Sequence, residues 1–212
     1  MTAEADNLIN DIVRYTVELF PMTTFGDNIS IAEKRLYYLM DKLNESGFSI
    51  DAMRFKLAML TFLIENKKST QLTHFISTLN GITDCLCEEN GPICFEKYGG
   101  FKTIYSLLFH SEPTIRIKAA KICARCSENE YCKNKITKEI LIQLINLIQT
   151  DPIDDVKAEA LYAMARVIQN NYIGLIEFLN LGGFHIILIT LEMYKLGLTR
   201  IEKVKFFKKH LC

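Results

Sequence analysis

Residues 115–130 read Ile115-Arg116-Ile117-Lys118-Ala119-Ala120-Lys121-Ile122-Cys123-Ala124-Arg125-Cys126-Ser127-Glu128-Asn129-Glu130. A slide of 41 residues lays them on Val156-Lys157-Ala158-Glu159-Ala160-Leu161-Tyr162-Ala163-Met164-Ala165-Arg166-Val167-Ile168-Gln169-Asn170-Asn171. Identities fall at Ala119/Ala160, Ala124/Ala165, Arg125/Arg166 and Asn129/Asn170, and several other positions keep their character. A slide of 83 residues, about two periods, lays Phe95-Glu96-Lys97-Tyr98-Gly99-Gly100-Phe101 on Phe178-Leu179-Asn180-Leu181-Gly182-Gly183-Phe184. The two matches agree on one recurring unit.

A unit of this length is typical of armadillo and HEAT arrays, in which each repeat is two or three helices. The pattern inside the units is helical, with apolar residues recurring at three and four. Ser30-Ile31-Ala32-Glu33 has the form of a capping box, followed by Ile31, Leu36, Leu39, Met40 and Leu43 at helical spacing. Asp51 can cap a helix carrying Met53, Leu57, Leu60, Phe62, Leu63 and Ile64. A helix is expected from about Leu72 to Cys87, another opening at Pro113, and a further one behind the turn Asp151-Pro152-Ile153-Asp154-Asp155. No window alternates cleanly enough to prefer a strand. The expected fold is all-α: an N-terminal helix and loop over residues 1–28, then an armadillo/HEAT-like right-handed superhelical solenoid of about four repeats over residues 29–212. One such unit cannot bury its apolar face alone, whereas stacked neighbours share a continuous core and a groove. Ala119, Ala160 and Ala165 are expected to let helices approach closely, and the two Gly-Gly pairs to end one helix and begin the next.

Composition narrows the function. In 212 residues the 25 basic and 25 acidic side chains cancel, which argues against a dedicated nucleic-acid binder. At 49% hydrophobic the chain can fill a sizeable core. The acidic opening Met1-Thr2-Ala3-Glu4-Ala5-Asp6 lacks a signal-peptide pattern, and Phe184–Leu191, the most apolar stretch, is far shorter than a bilayer span. A cytoplasmic protein without membrane attachment is expected.

Catalytic and metal signatures are weak. No G-x-S-x-G, Walker A, G-x-G-x-x-G or H-E-x-x-H occurs. His74, His110, His185 and His210 are scattered, and His185 reads as a core residue of an apolar helix. Glu88-Glu89 and Asp154-Asp155 fit helix ends, where the dipole explains them. Cys123-x-x-Cys126 has zinc-like spacing, but these cysteines fall on Met164 and Val167 in the repeat, which marks them as packing positions. Cys85-x-Cys87 points its two thiols to different sides of a helix. Neither an enzyme, a cofactor nor a bound metal is expected.

A surface remains. One face of the last helix of each unit carries Lys118, Arg125 and Asn129, then Glu159, Arg166 and Asn170, then Lys203 and His210. Lining the inner curve of a solenoid, these form a polar ladder for a protein partner. A solvated face with no partner is the plainer alternative.

The stretch from Gly99 to Cys212 resembles the armadillo-type nucleotide exchange factors of the seventy-kilodalton heat-shock chaperone, the cytosolic Hsp-binding-protein branch. The residues that carry the likeness are Ile115–Ala120 with Cys126–Asn129, and Val156–Ala163 with Phe178–Phe184, with Val204–Leu211 matching more loosely. Ile12–Glu18 is similar to the family's opening helix. The resemblance implies a co-chaperone that embraces one lobe of the chaperone's nucleotide-binding domain, favours its open form and promotes ADP release. It places Lys203 at a basic contact position, with Lys118 and Glu159 as repeat equivalents; Glu159 departs from the family's basic residue there. A generic armadillo/HEAT protein-interaction scaffold is the alternative.

Overall fold

A computed structural model describes residues 52–65 and 72–195, and every regular element among them is an α-helix. In chain order they are α1 (Ala52–Glu65), α2 (Leu72–Cys85), α3 (Gly91–Lys97), α4 (Gly100–Leu107), α5 (Pro113–Cys126), α6 (Glu130–Lys133), α7 (Lys138–Thr150), α8 (Asp154–Ile168), α9 (Tyr172–Asn180) and α10 (Gly183–Lys195). The expected segments over residues 1–28 and Ile31–Leu43, and the cap at Asp51, lie outside the described residues. The chain forms two compact units, Met1–Thr103 and Ile104–Cys212.

In the first unit α1 packs on α2 and α3. Met53, Phe55, Leu57, Leu60 and Leu63 of α1 are buried, as are Phe75, Leu79 and Ile82 of α2. The α2 helix ends at Cys85, two residues short of the expected end, and there Cys85 is buried while Cys87 is exposed.

In the second unit α5 packs on α8, and α8 also packs on α7 and α9. Pro113 opens α5 without losing a hydrogen bond, because a first-turn N–H has no intrahelical acceptor. Asp154 and Asp155 complement the positive end of α8. Ala119 and Ala120 on α5 and Ala160 and Ala163 on α8 are fully buried, so small side chains let the two helices come close. Ile115, Ile122, Val156, Met164 and Val167 fill the remaining volume, and each of the larger ones stabilises by about 1.5–3 kcal/mol when removed from water. Ala165 departs from expectation: Ala124 is buried, but its repeat partner Ala165 is exposed on the opposite side of α8 from the packed stripe. His185 also departs, lying exposed on α10, because Ile186, Ile189 and Thr190 turn that helix's buried side away from it.

The repeat is visible as geometry. α5 and α8 begin 41 residues apart, at Pro113 and Asp154, and α6 and α9 begin 42 apart, at Glu130 and Tyr172. The extra residue is the longer α8, with 15 residues against 14 in α5. The Phe–Gly–Gly–Phe segments build the same corner twice. Gly99 and Gly182 take φ of 78° and 70°, a left-handed conformation that favours glycine. A Cβ on Gly100 or Gly183 would run into the ring of Phe95 or Phe178 respectively. Each of those rings meets the next Phe edge to face, Phe95–Phe101 at 5.3 Å and Phe178–Phe184 at 5.6 Å between centroids. The corner between α9 and α10 bends by 66°. Among the described residues no single helix is long and apolar enough to cross a membrane.

A buried ion pair fastens the start of α5 to the end of α7. Arg116 Nε donates to Asp151 Oδ2 at 2.7 Å and Nη2 to Oδ1 at 3.0 Å, while Nη1 donates to the carbonyls of His110 and Ser111. Asp151 Oδ1 also accepts from the Ile153 amide at 2.9 Å, which shapes the turn into α8. Removing one partner leaves a charge buried without its counter-ion. Asp151→Ala is therefore expected to lower unfolding free energy by about 3–5 kcal/mol in urea titration; a loss below about 1 kcal/mol would show that the pair does not hold the helices. Gly183→Ala, by overpacking Phe178, is expected to cost about 1–3 kcal/mol by the same measurement.

Candidate functional site

Two helical stripes meet on the solvent-facing side of α5 and α8. Lys118, Lys121 and Arg125 follow one another at spacings of three and four on α5, and Glu159, Tyr162 and Arg166 do the same on α8. The stripes are cross-linked. Lys121 Nζ lies 3.8 Å from Glu159 Oε2. Glu128, just beyond α5, accepts from Arg125 Nη1 at 3.0 Å through one oxygen and from Arg166 Nη2 at 3.3 Å through the other. Arg166 Nη1 reaches on to Gln169 Oε1 at 2.9 Å. Tyr162 stands 53% exposed between Glu159 and Arg166.

Lys118, Arg125, Glu159 and Arg166 thus lie on one side of the packed pair of helices. The asparagines do not. Asn129 is the N-cap of α6, its Oδ1 accepting from the Cys132 amide at 3.1 Å. The residue that does the same for α9 is Asn171, accepting from the Gly174 amide at 3.0 Å. Asn170 is one position earlier, exposed and in the left-handed region at φ 54°, where Asn is tolerated better than most residues. The longer α8 shifts the frame, so Asn129 and Asn170 are not equivalent and form no ladder. Lys203 and His210 lie outside the described residues.

Glu128, Lys121 and Tyr162 belong to the site and were not singled out by sequence reasoning. A signal for Glu128 exists in the chain: Arg125-x-x-Glu128 and Arg166-x-x-Gln169 occupy the same repeat position, and i,i+3 partners on a helix meet. The contact from Glu128 to Arg166, 38 residues away, needs the stacking of α5 on α8 and could not be read locally.

The electrostatics of the face are uneven. Burial, and then the neighbouring Lys121 charge, holds the Lys118 ammonium below its ordinary range. Burial pushes the Glu159 carboxyl above the usual carboxylate range, against the opposing pull of Lys121. Elsewhere, burial pushes the Cys123 thiol up to about 12 and the Cys126 thiol well above its ordinary value, with Cys123 and Cys132 adding to the rise at Cys126. These sulfurs stay protonated and pack as small apolar groups. Among the described residues no cluster of His, Cys, Asp or Glu converges in a way that could hold a metal ion. What the α5–α8 face can do is present a fixed pattern of charge around an exposed aromatic ring.

The sign at Glu159 is testable. Its folded pKa is raised, so its proton favours the folded state at low pH and that contribution is lost as pH rises. Wild type is therefore expected to lose stability relative to Glu159→Gln between the ordinary glutamate value, about 4.3, and the raised one. Thermal unfolding at successive pH values reads this; two curves that run parallel across the window would contradict the burial of the carboxyl.

No family model matches the chain. Among curated proteins it is similar to plakophilin-2 of Homo sapiens, 29% identical over 93 residues, which cover 42% of this chain and 11% of that protein. Plakophilin-2 of Mus musculus and of Rattus norvegicus are each 28% identical over the same length, covering 12% and 11% of those proteins. The match thus spans about a tenth of the length of these relatives. Plakophilin-2 is an armadillo-repeat protein, and the likeness agrees with the repeated helical units described above.

Proposed function

We propose that the chain is an armadillo-type protein-interaction scaffold that binds another protein through the solvent-facing side of α5 and α8. The observation that carries this reading is the cross-linked double stripe: the repeat-related Arg125 and Arg166 both held by Glu128, Lys121 beside Glu159, and Tyr162 exposed among them. A tyrosine ring and arginine fork presented together are the residue types that anchor protein interfaces. Binding, without bond chemistry, is the activity such a face supports.

A second reading is favoured by the sequence likeness from Gly99 to Cys212. In it the partner is the seventy-kilodalton heat-shock chaperone, and the scaffold acts as its adenyl-nucleotide exchange factor in the cytoplasm. Contacts available only in the open form of the nucleotide-binding domain would favour that form, and ADP would leave. Coupling is reciprocal, so ADP would weaken the scaffold's affinity by the same factor. Lys203 and His210 would add to the contact surface.

Affinity capture from a cell extract tests the first reading, with wild type and a Tyr162→Asp, Arg125→Glu variant compared side by side. Proteins retained by wild type and lost from the folded variant are expected; identical sets would overturn it. Release of labelled ADP from the chaperone tests the second, which requires acceleration by wild type and fails if the rate is unchanged.

A further inference from the structure

We propose that Asn90-Gly91 is a site of spontaneous deamidation that ages the first unit, while Asn80-Gly81, its chemical twin in the same unit, is shielded by α2.

The reaction needs only water. The Gly91 nitrogen attacks Cγ of Asn90, the Cγ–Nδ2 bond breaks, and ammonia leaves with the proton that Gly91 gives up. Water then opens the succinimide ring. Addition at Cγ gives aspartate and restores the main chain. Addition at the main-chain carbonyl carbon gives isoaspartate, in which Gly91 is joined through Cγ and the main chain is one methylene longer. Glycine in the second position favours ring closure, because without a Cβ its nitrogen is unhindered and its backbone rotates freely. The Asn-Gly pair occurs twice in the chain, at 80–81 and at 90–91.

Backbone, not exposure, separates the two. Asn80 and Asn90 are both exposed. Asn80 and Gly81 lie inside α2, between the fully buried Leu79 and Ile82. Bringing the Gly81 nitrogen onto Cγ of Asn80 would break a 14-residue helix in its interior. Asn90 instead ends an exposed run that begins at Cys87, and its side chain makes no capping hydrogen bond to α3. Its ψ of 0° must rotate before Cγ and the Gly91 nitrogen can meet. Two backbone hydrogen bonds resist that rotation. The Gly91 N–H donates to the Glu88 carbonyl at 3.1 Å, and the Cys94 N–H donates to the Asn90 carbonyl at 2.9 Å. Both belong to the entry of α3, a helix of seven residues. A helix so short is marginal in water, and its end opens at low free energy. One opening frees the Asn90 backbone and the Gly91 nitrogen together.

The fold also fixes the reactive pair. A Cβ at position 91 would run into the Cys85 carbonyl, so the chain can enter α3 there only with glycine. The residue that permits the turn is the one that makes its neighbour labile. Each product disturbs the place where it forms. Aspartate adds a third carboxylate next to Glu88 and Glu89. Isoaspartate lengthens the main chain where Gly91 is wedged against Cys85, one turn before the buried Phe95 ring of the Gly100 corner.

The test holds the full chain in mildly alkaline native buffer, with samples digested over time. Mass spectrometry after chromatography resolves the asparagine, aspartate and isoaspartate forms of each peptide. Asn90 is expected to convert into both products, about tenfold faster than Asn80 or more, the gap between a fraying end and a helix interior. In concentrated urea, with the helices gone, the two rates should converge. Asn90→Gln, which closes the ring far less readily, should remove the fastest-forming acidic species on isoelectric focusing. Equal rates at the two sites in native buffer would overturn the proposal, as would an Asn90 that stays intact while the unfolded chain converts. A rate gap that survives in urea, or an acidic species that persists in Asn90→Gln, would overturn it as well.

Discussion

The seam between α5 and α8 is the constraint on which the second unit depends. Ala119 and Ala120 on one side and Ala160 and Ala163 on the other are fully buried. At these positions a larger side chain would push the helices apart, and the neighbours Ile115, Ile122, Met164 and Val167 would lose the contacts that keep them dry. Neither helix is long enough to be stable alone in water, so each is stabilised chiefly by the stripe it shares with the other. The same seam brings Glu128 within reach of Arg166 and Lys121 within reach of Glu159. Core packing thus sets the surface pattern.

Much of this was legible along the chain. Helical periodicity, the repeat of 41 to 42 residues and the two Gly-Gly corners are local signals, and local signals determine helices and tight turns. The corners were legible because glycine is needed twice, once for a left-handed backbone at Gly99 and Gly182 and once to clear a phenylalanine ring at Gly100 and Gly183. The site was only partly legible. A rigid slide of 41 residues cannot detect that α8 is one residue longer than α5, so it paired Asn129 with Asn170 where the caps pair Asn129 with Asn171. Ala165 and His185 were misplaced for a related reason: residue type repeats along the chain, but burial depends on which neighbour covers each face. The role of Arg116 as a buried clamp had no local signal, because its counter-ion Asp151 lies 35 residues away.

The two arginine-based arrangements contrast in a useful way. Arg116 has all its nitrogens occupied by acceptors, beneath the surface, and its exchange of partners is closed off by packing. Arg166 has one carboxylate at 3.3 Å, and its buried Nε meets no acceptor among the described residues. One ion pair is sealed beneath the surface and the other is open to solvent. The likeness to plakophilin-2 reaches the helical architecture of the array and does not extend to the pattern of charge on this face.

Cys123 and Cys126 on α5 and Cys132 on α6 place three sulfurs with no exposure at the junction of successive repeats. A dissolved electrophile can meet them only through gaps that form when those helices part. The molecule therefore carries its own gauge: with reclosing faster than modification, the pace at which these side chains are alkylated in native buffer follows the fraction of time the junction stands open, with no reporter group attached.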